Sequence, residues 1–205
     1  MLPHEIETKS FAIIEAEAGK HGFEASAWDV VRRVIHTTAD FEYIQTIRIH
    51  DNAIAAGIAA IRAGRPVITD TNMVRSGVRK KDLGEYGCEV ICLMDEPGIL
   101  ELAEKNKTTR ALAAVDASSQ KMEGGIYVIG NAPTALLRLI SLIREEKAAP
   151  ALVIGLPVGF VNAAESKAEL LETDIPYITN TGRKGGSNVA AAVVNSLVLQ
   201  AKKTQ

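Results

Sequence analysis

Cysteine is nearly absent from this sequence, and its scarcity excludes two common devices. The only two, Cys88 and Cys92, fall in an apolar run with the character of a strand, where four residues at about 3.3 Å each set them roughly 13 Å apart. That spacing rules out a disulfide between them and a shared metal, and leaves two apolar thiols suited to a reducing compartment. An excess of charge of one sign is missing as well. With 23 basic and 25 acidic side chains the net charge is −2, so no global positive field draws nucleic acid or an acidic membrane surface. Any anionic ligand must be held by local groups. No apolar run approaches the roughly 18 residues a spanning helix needs. The start, Met1-Leu2-Pro3-His4-Glu5-Ile6-Glu7, lacks the basic n-region and apolar h-region of a secretory signal. A cytoplasmic protein with neither nucleic acid nor membrane as partner is expected.

Several signatures of cofactor and hydrolytic chemistry are missing too. Arg183-Lys184-Gly185-Gly186-Ser187 lacks the order and spacing of a phosphate loop, and the first strand-to-helix turn carries no G-x-G-x-x-G. No Gly-x-Ser-x-Gly elbow is found. The four histidines, His4, His21, His36 and His50, are scattered singly, so no metal site is expected.

What is present is the pattern of one α/β domain over residues 1–205. The chain is 47% hydrophobic, enough for a single well-packed core and rather little for two. Five apolar segments, 66–70, 88–94, 126–130, 151–156 and 177–181, have the length of buried parallel strands and are bounded by Gly, Pro or polar residues. Helical spacing fills the intervals at 97–105, 108–121, 132–145, 163–172 and 187–201. This alternation predicts a mostly parallel sheet of about five strands with helices on both faces. The first 65 residues read as helices at 6–18, 26–35, 39–48 and 52–63 with no convincing strand, a helical N-terminal layer on the sheet.

Ligands of open parallel sheets sit beyond the carboxyl ends of the strands, and three turns there share one character. They are Gly130-Asn131-Ala132-Pro133-Thr134, the run from Gly155 through Pro157 and Gly159 to Asn162 that opens a helix at Ala163-Ala164-Glu165-Ser166-Lys167, and Thr181-Gly182-Arg183-Lys184-Gly185-Gly186-Ser187-Asn188. Glycine-rich turns feeding helix N-termini leave backbone N–H groups free at the positive end of the dipole. Asn131 is suited to a cap and Pro133 to a first helical turn. Three such turns predict a ligand with several negative groups, and without phosphate fingerprints these are carboxylates. The binding candidates here are Asn131, Thr134, Gly159, Lys167, Arg183, Gly185, Gly186 and Ser187.

Of the histidines, His36 is the best placed. Ser26 can cap the helix before it, with Asp29 three residues on, and Trp28, Val31, Val34 and Ile35 give that helix an apolar face. His36 then falls in the last turn, where the negative end of the dipole favours imidazolium, the state of a general acid. On local sequence alone, a histidine that only caps the helix C-terminus is the favoured reading. His4, His21 and His50 sit in more polar surroundings and are expected to face solvent.

Several strings resemble one family. Lys9-Ser10-Phe11-Ala12-Ile13-Ile14, Arg33-Val34-Ile35-His36-Thr37-Thr38-Ala39-Asp40-Phe41, Gly130-Asn131-Ala132-Pro133-Thr134-Ala135-Leu136, Gly155-Leu156-Pro157-Val158-Gly159-Phe160-Val161, Ala164-Glu165-Ser166-Lys167 and Gly182-Arg183-Lys184-Gly185-Gly186-Ser187 are similar, in register over nearly the whole chain, to the precorrin-8 methylmutases of cobalamin biosynthesis. The resemblance implies a homodimer of α/β subunits, an isomerase that moves a methyl group from C-11 to C-12 of precorrin-8 or its cobalt complex. The products would be hydrogenobyrinate and cobyrinate. No cofactor is implied, and cobalt, where present, belongs to the substrate, a tetrapyrrole with many carboxylates. His36 matches the family's catalytic acid, while Ser10 and Arg110 match substrate-binding residues. The form Ile35-His36-Thr37-Thr38-Ala39-Asp40 is closer to the cobalt-dependent branch. Read without the resemblance, the residues also admit a nucleotide-using doubly wound enzyme or a non-catalytic tetrapyrrole carrier. Thr37 and Thr38 are expected to cap the following helix.

Overall fold

Alternation along the strands sorts the core into two layers. The computed structural model describes residues 2–203, the side chain of Pro3 apart. In chain order its elements are α1 (Pro3–Ala18), α2 (Ala25–Thr38), α3 (Tyr43–Thr46), β1 (Ile47–Ile49), α4 (Ala53–Arg62), β2 (Val67–Thr69), α5 (Asn72–Gly77), α6 (Lys80–Glu85), β3 (Val90–Ile91), α7 (Pro97–Lys105), α8 (Arg110–Ser118), β4 (Ile126–Ile129), α9 (Pro133–Arg144), β5 (Leu152–Gly155), α10 (Ala163–Leu171), β6 (Tyr177–Asn180) and α11 (Ser187–Lys203). Val67, Ile126, Val128, Leu152, Ile154 and Ile178 point to one face, where they meet residues of α2, α4 and α11. Ile68, Tyr127, Ile129 and Val153 point to the other, against α8, α9 and α10. The period of two that splits these residues is the strand's own, and burying each large side chain contributes about 1.5–3 kcal/mol.

The strands lie in the order β1-β6-β5-β4-β2-β3. All pairings are parallel except β1 with β6, which is antiparallel with Ile47 opposite Asn180. The chain runs from β2 outward to β3, then crosses back to β4 on the other side of β2. The direction of winding therefore reverses between β2 and β4, the place where open α/β sheets usually take their ligands.

Several local expectations need correction. Residues 39–48 are not one helix but the single turn α3 followed by β1, so the N-terminal layer supplies a sixth strand. The expected strand 88–94 contracts to Val90–Ile91, and Cys88 precedes it; both cysteines are free. Ser26 lies inside α2, whose N-cap is Glu24 with no side-chain bond, while Asp29 pairs with Arg32 and Lys203. The N-cap of α9 is Ala132, not Asn131. Thr38 Oγ1 donates back to the carbonyl of Val34 at 2.8 Å, and the residue capping α3 is Glu42. His21 is half-buried and stacks on Trp28, with ring centroids 3.8 Å apart. No helix among the described residues is long and apolar enough to cross a membrane.

Candidate active site

His36 lies in the last turn of α2, exposed, and the helix stops three residues later because Ala39 turns left-handed with φ 53° and returns its N–H to the carbonyl of Ile35. Its neighbours Val34 and Ile35 are buried in the core, so the helix is anchored while the imidazole is free to face outward. The ring meets Phe11 of α1 edge-on, with centroids 5.2 Å apart. A hollow of about 400 Å³ opens beside it, lined by Ser10, Ile13, Glu17, His36 and Phe41 among others. Ser10 and His36 come from different helices and are 26 positions apart, and the packing of α1 on α2 brings them to one wall. Ser10 Oγ donates to the carbonyl of Ile6 at 2.8 Å. A second hollow of about 220 Å³ has His36, Arg33 and Thr37 on one side and Asn188 and Asn195 of α11 on the other. His36 thus adjoins the N-terminal turns of α11.

The glycine-rich turns after β5 and β6 are fastened to each other. Gly186 N–H donates to the carbonyl of Leu156 at 2.9 Å and Gly159 N–H to that of Arg183 at 3.3 Å. Gly185, with φ +156°, has no room for a side chain: a Cβ would fall 2.6 Å from the carbonyl oxygen of Pro157 and closer still to that of Leu156. Lys167 runs beneath both turns. It is 1% exposed, and its ammonium donates to Asn180 Oδ1 at 3.1 Å and to the carbonyl of Lys184 at 2.6 Å. It therefore faces the interior, and no carboxylate pairs with it among the described residues. Desolvation lowers its pKa from the ordinary 10.5 to about 8. Lys184, one turn above, pairs through its own ammonium with Asp40 at 2.5 Å and Glu42 at 2.8 Å. That hydrogen bond holds the Asp40 carboxyl below the usual range, and the two carboxylates raise Lys184 in return. The turn carrying Arg183 and Lys184 is so tied to the segment that follows His36. Arg183 is exposed, its guanidinium 5.5 Å from the ring centroid of Phe160. Ser187 is buried, with Oγ 3.1 Å from Thr71 Oγ1.

The turn after β4 differs from what its glycine and proline suggest. Its backbone N–H groups do not await a ligand. Gly130 donates to Asp70 Oδ1 at 3.0 Å, and Asn131 and Ala132 donate to Asp70 Oδ2 at 2.9 and 3.0 Å. Asp70 follows β2 directly and is 4% exposed. Burial pushes its carboxyl above the usual range, with the three N–H bonds pulling the other way. Gly130 also lets α11 close in, since a Cβ there would lie 2.8 Å from the Cα of Ser187. Arg110 opens α8, exposed and without an ion pair among the described residues. Its N-cap Thr109 accepts from Leu112 N–H and meets Thr134 Oγ1 at 3.4 Å, so Arg110 and Thr134 stand together, apart from both His36 hollows. Asn131 is exposed beside them. Sequence reasoning missed Asp70, Asp40, Asn180 and Phe11. Only Asp70 had a local signal, an acidic side chain ending a strand next to a glycine turn. Among the described residues no group of three or more His, Cys, Asp or Glu side chains could hold a metal ion.

These features define a doubly wound α/β protein whose exposed candidate groups lie beside the switch point rather than in it. The family model described as precorrin-8X methylmutase matches residues 5–200. The chain is 44% identical over 98% of its length, and 96% of the relative's, to a cobalt-precorrin-8 methylmutase of Leptospira interrogans. It is 47% identical to that of Priestia megaterium, over 97% and 88% of the two chains. More distant relatives carry the name precorrin-8X methylmutase. The crystal structure of a precorrin-8x methyl mutase from Thermus thermophilus superposes with a TM-score of 0.92 at 43% identity, over 98% of this chain and 97% of that one. The chain belongs to the precorrin-8X methylmutase family, and the protein is an isomerase, a methylmutase of cobalamin biosynthesis.

Proposed function

We propose that the protein converts cobalt-precorrin-8, or its metal-free counterpart, by moving the methyl group on C-11 to C-12, with His36 as general acid. One carbon–carbon bond breaks and one forms within the same molecule, so the step gains and loses no atoms and calls for no redox partner. A proton placed on the conjugated macrocycle lowers the barrier to the shift and returns to the imidazole afterwards. Positioned proton transfer of this kind is worth about 10²- to 10⁴-fold in rate. The observation that carries this reading is the shared wall of Ser10 and His36: an exposed imidazole at a helix end, held against Phe11, beside a hollow with a hydroxyl within it.

The carboxylates of the substrate have two sets of candidates. Arg183 and the turns of Gly159, Gly185, Gly186 and Ser187 adjoin the His36 side, and Arg110 with Asn131 and Thr134 forms the other. An arginine can take a carboxylate with two parallel N–H bonds. Lys167 acts from below, by holding the turns in place. A hollow of about 400 Å³ is too small to enclose a macrocycle with its side chains. α1 exposes Ile6 at 51% and Ile13 at 48% next to it, and a second subunit of a homodimer in the cytoplasm would cover that apolar face and complete the enclosure. The form of the His36 segment favours the cobalt-containing substrate.

The test is turnover on excess precorrin-8 with and without cobalt, under anaerobic conditions, followed by the visible spectrum. Conversion of many equivalents supports the assignment, and full activity in His36→Ala overturns the role of His36. A spectrum that stops changing at one equivalent would instead mark a tetrapyrrole carrier.

A further inference from the structure

The sheet's switch point holds a carboxylate that the proposed chemistry does not use. Asp70 directly follows β2 and reaches across to the turn that leads into α9, a 12-residue helix with N-cap Ala132, where its two oxygens accept the N–H groups of Gly130, Asn131 and Ala132 at 2.9–3.0 Å. These are the donors, with the same dipole behind them, that a phosphate or a carboxylate takes in a doubly wound protein that binds its ligand at this place. The side chain is sealed there. It is 4% exposed, and the start of α11 packs over Gly130 on one flank. A helix N-terminus carries roughly half a positive charge, so a full carboxylate both satisfies and reverses it.

We propose that Asp70 is a built-in anion: it fills the anion site at the N-terminus of α9, fixes the turn that presents Asn131 and Thr134, and excludes phosphates and the substrate's own carboxylates from the switch point. This rests on the methylmutase reading only for its catalytic consequence. Carboxylates of the substrate that approach this part of the edge meet spent donors and a negative charge, and they turn to Arg110, the neighbouring cation across the Thr109–Thr134 contact. Asp70 is thereby a positioning and specificity residue, acting through the turn and never on the reacting atoms. A residue that merely filled space would be indifferent to the loss of its charge.

Nuclear magnetic resonance of the three donor amides tests this without any need for the substrate. Asp70→Ala removes a group the size of formate. In that variant, formate should shift the amide signals of Gly130, Asn131 and Ala132 together and saturably, and raise the melting temperature, while neutral formamide does neither. In the wild-type protein the same titration should leave those signals in place. The KM of Asp70→Ala should rise about ten-fold with a smaller change in kcat, and formate should restore part of it. Formate shifting the wild-type amides as strongly as the variant's would overturn the proposal, as would a folded variant whose amides ignore formate. Should Asp70→Ala not fold, Asp70→Asn decides: its single acceptor oxygen must displace at least one of the three signals and raise KM, and wild-type values for both would refute the role of charge. A wild-type protein without methylmutase activity would sink the functional reading and leave the amide experiment to stand or fall alone.

Discussion

Replacing Lys167 by Met should change how stability depends on pH more than stability itself. The ammonium is 1% exposed and has a pKa of about 8 against an ordinary 10.5. Because the folded state holds this proton less tightly than the unfolded one, the unfolded chain binds more protons between about pH 8 and pH 10.5. Wild-type stability therefore gains from this group as pH rises through that window. At 1.36 kcal/mol per pKa unit the gain is about 3 kcal/mol. Lys167→Met removes the penalty that the buried, charged ammonium imposes below that window, but it leaves Asn180 Oδ1 and the Lys184 carbonyl without this donor, a cost of about 1–3 kcal/mol. The two effects nearly cancel at neutral pH, so the variant should match wild type within about 1–2 kcal/mol there. Near pH 10.5 it should be the less stable by about 1–3 kcal/mol. Urea unfolding followed by the fluorescence of Trp28, the one tryptophan, gives both curves, and contributions from Lys184, Lys202 and the tyrosines cancel in their difference. Parallel curves from pH 7 to pH 10.5 would show that burial of Lys167 does not depress its pKa.

His36→Ala should lower kcat by about 10²- to 10⁴-fold with product binding largely kept, checked by single-turnover spectra and a binding titration. Arg110→Ala should act mainly on KM, raising it about ten-fold or more; unchanged KM and kcat would make it a surface charge. Gly185→Ala drives a methyl group into two carbonyl oxygens and should destabilise the protein by several kcal/mol, on the order of other overpacked sites, as read by the urea midpoint. Lys184→Ala removes a solvent-exposed pair of ion contacts, which water and salt screen, and should leave the urea midpoint nearly unchanged. It should nevertheless weaken substrate binding if the turn it anchors holds a carboxylate, which KM would report.

The parts of the fold readable in sequence were those whose causes are local. Runs such as Ile126-Tyr127-Val128-Ile129 are long enough and apolar enough to be buried strands whatever surrounds them, and α7 begins at Pro97 because proline suits a first helical turn. β1 was invisible because Ile47-Arg48-Ile49 has only three residues and becomes a strand by pairing with β6. The candidate site divided in the same way. His36 was legible from its helix end and from family resemblance. Lys167 was a ligand-binding candidate because it sits in a helix opened by a glycine-rich turn, and only the later Asn180 and Lys184, which take its ammonium, make it internal. The turn after β4 looked like an open anion site because the carboxylate that closes it comes from residue 70, about sixty positions earlier in the chain.

The antiparallel edge has a consequence for how the molecule assembles. Strands β2 to β6 can pair in the order they are made, each waiting only for the one or two helices that connect it to the strand before. β1 must wait for β6, more than a hundred residues later, and closing so long a loop is entropically costly and slow. Until that happens the N-terminal segment lacks the partner to which Thr181 N–H, bonded to the carbonyl of Thr46 at 2.9 Å, secures it. The helix bearing the imidazole is thus seated only when nearly the whole chain is in place, so an unfinished or truncated chain can own a correct parallel sheet and still be chemically inert.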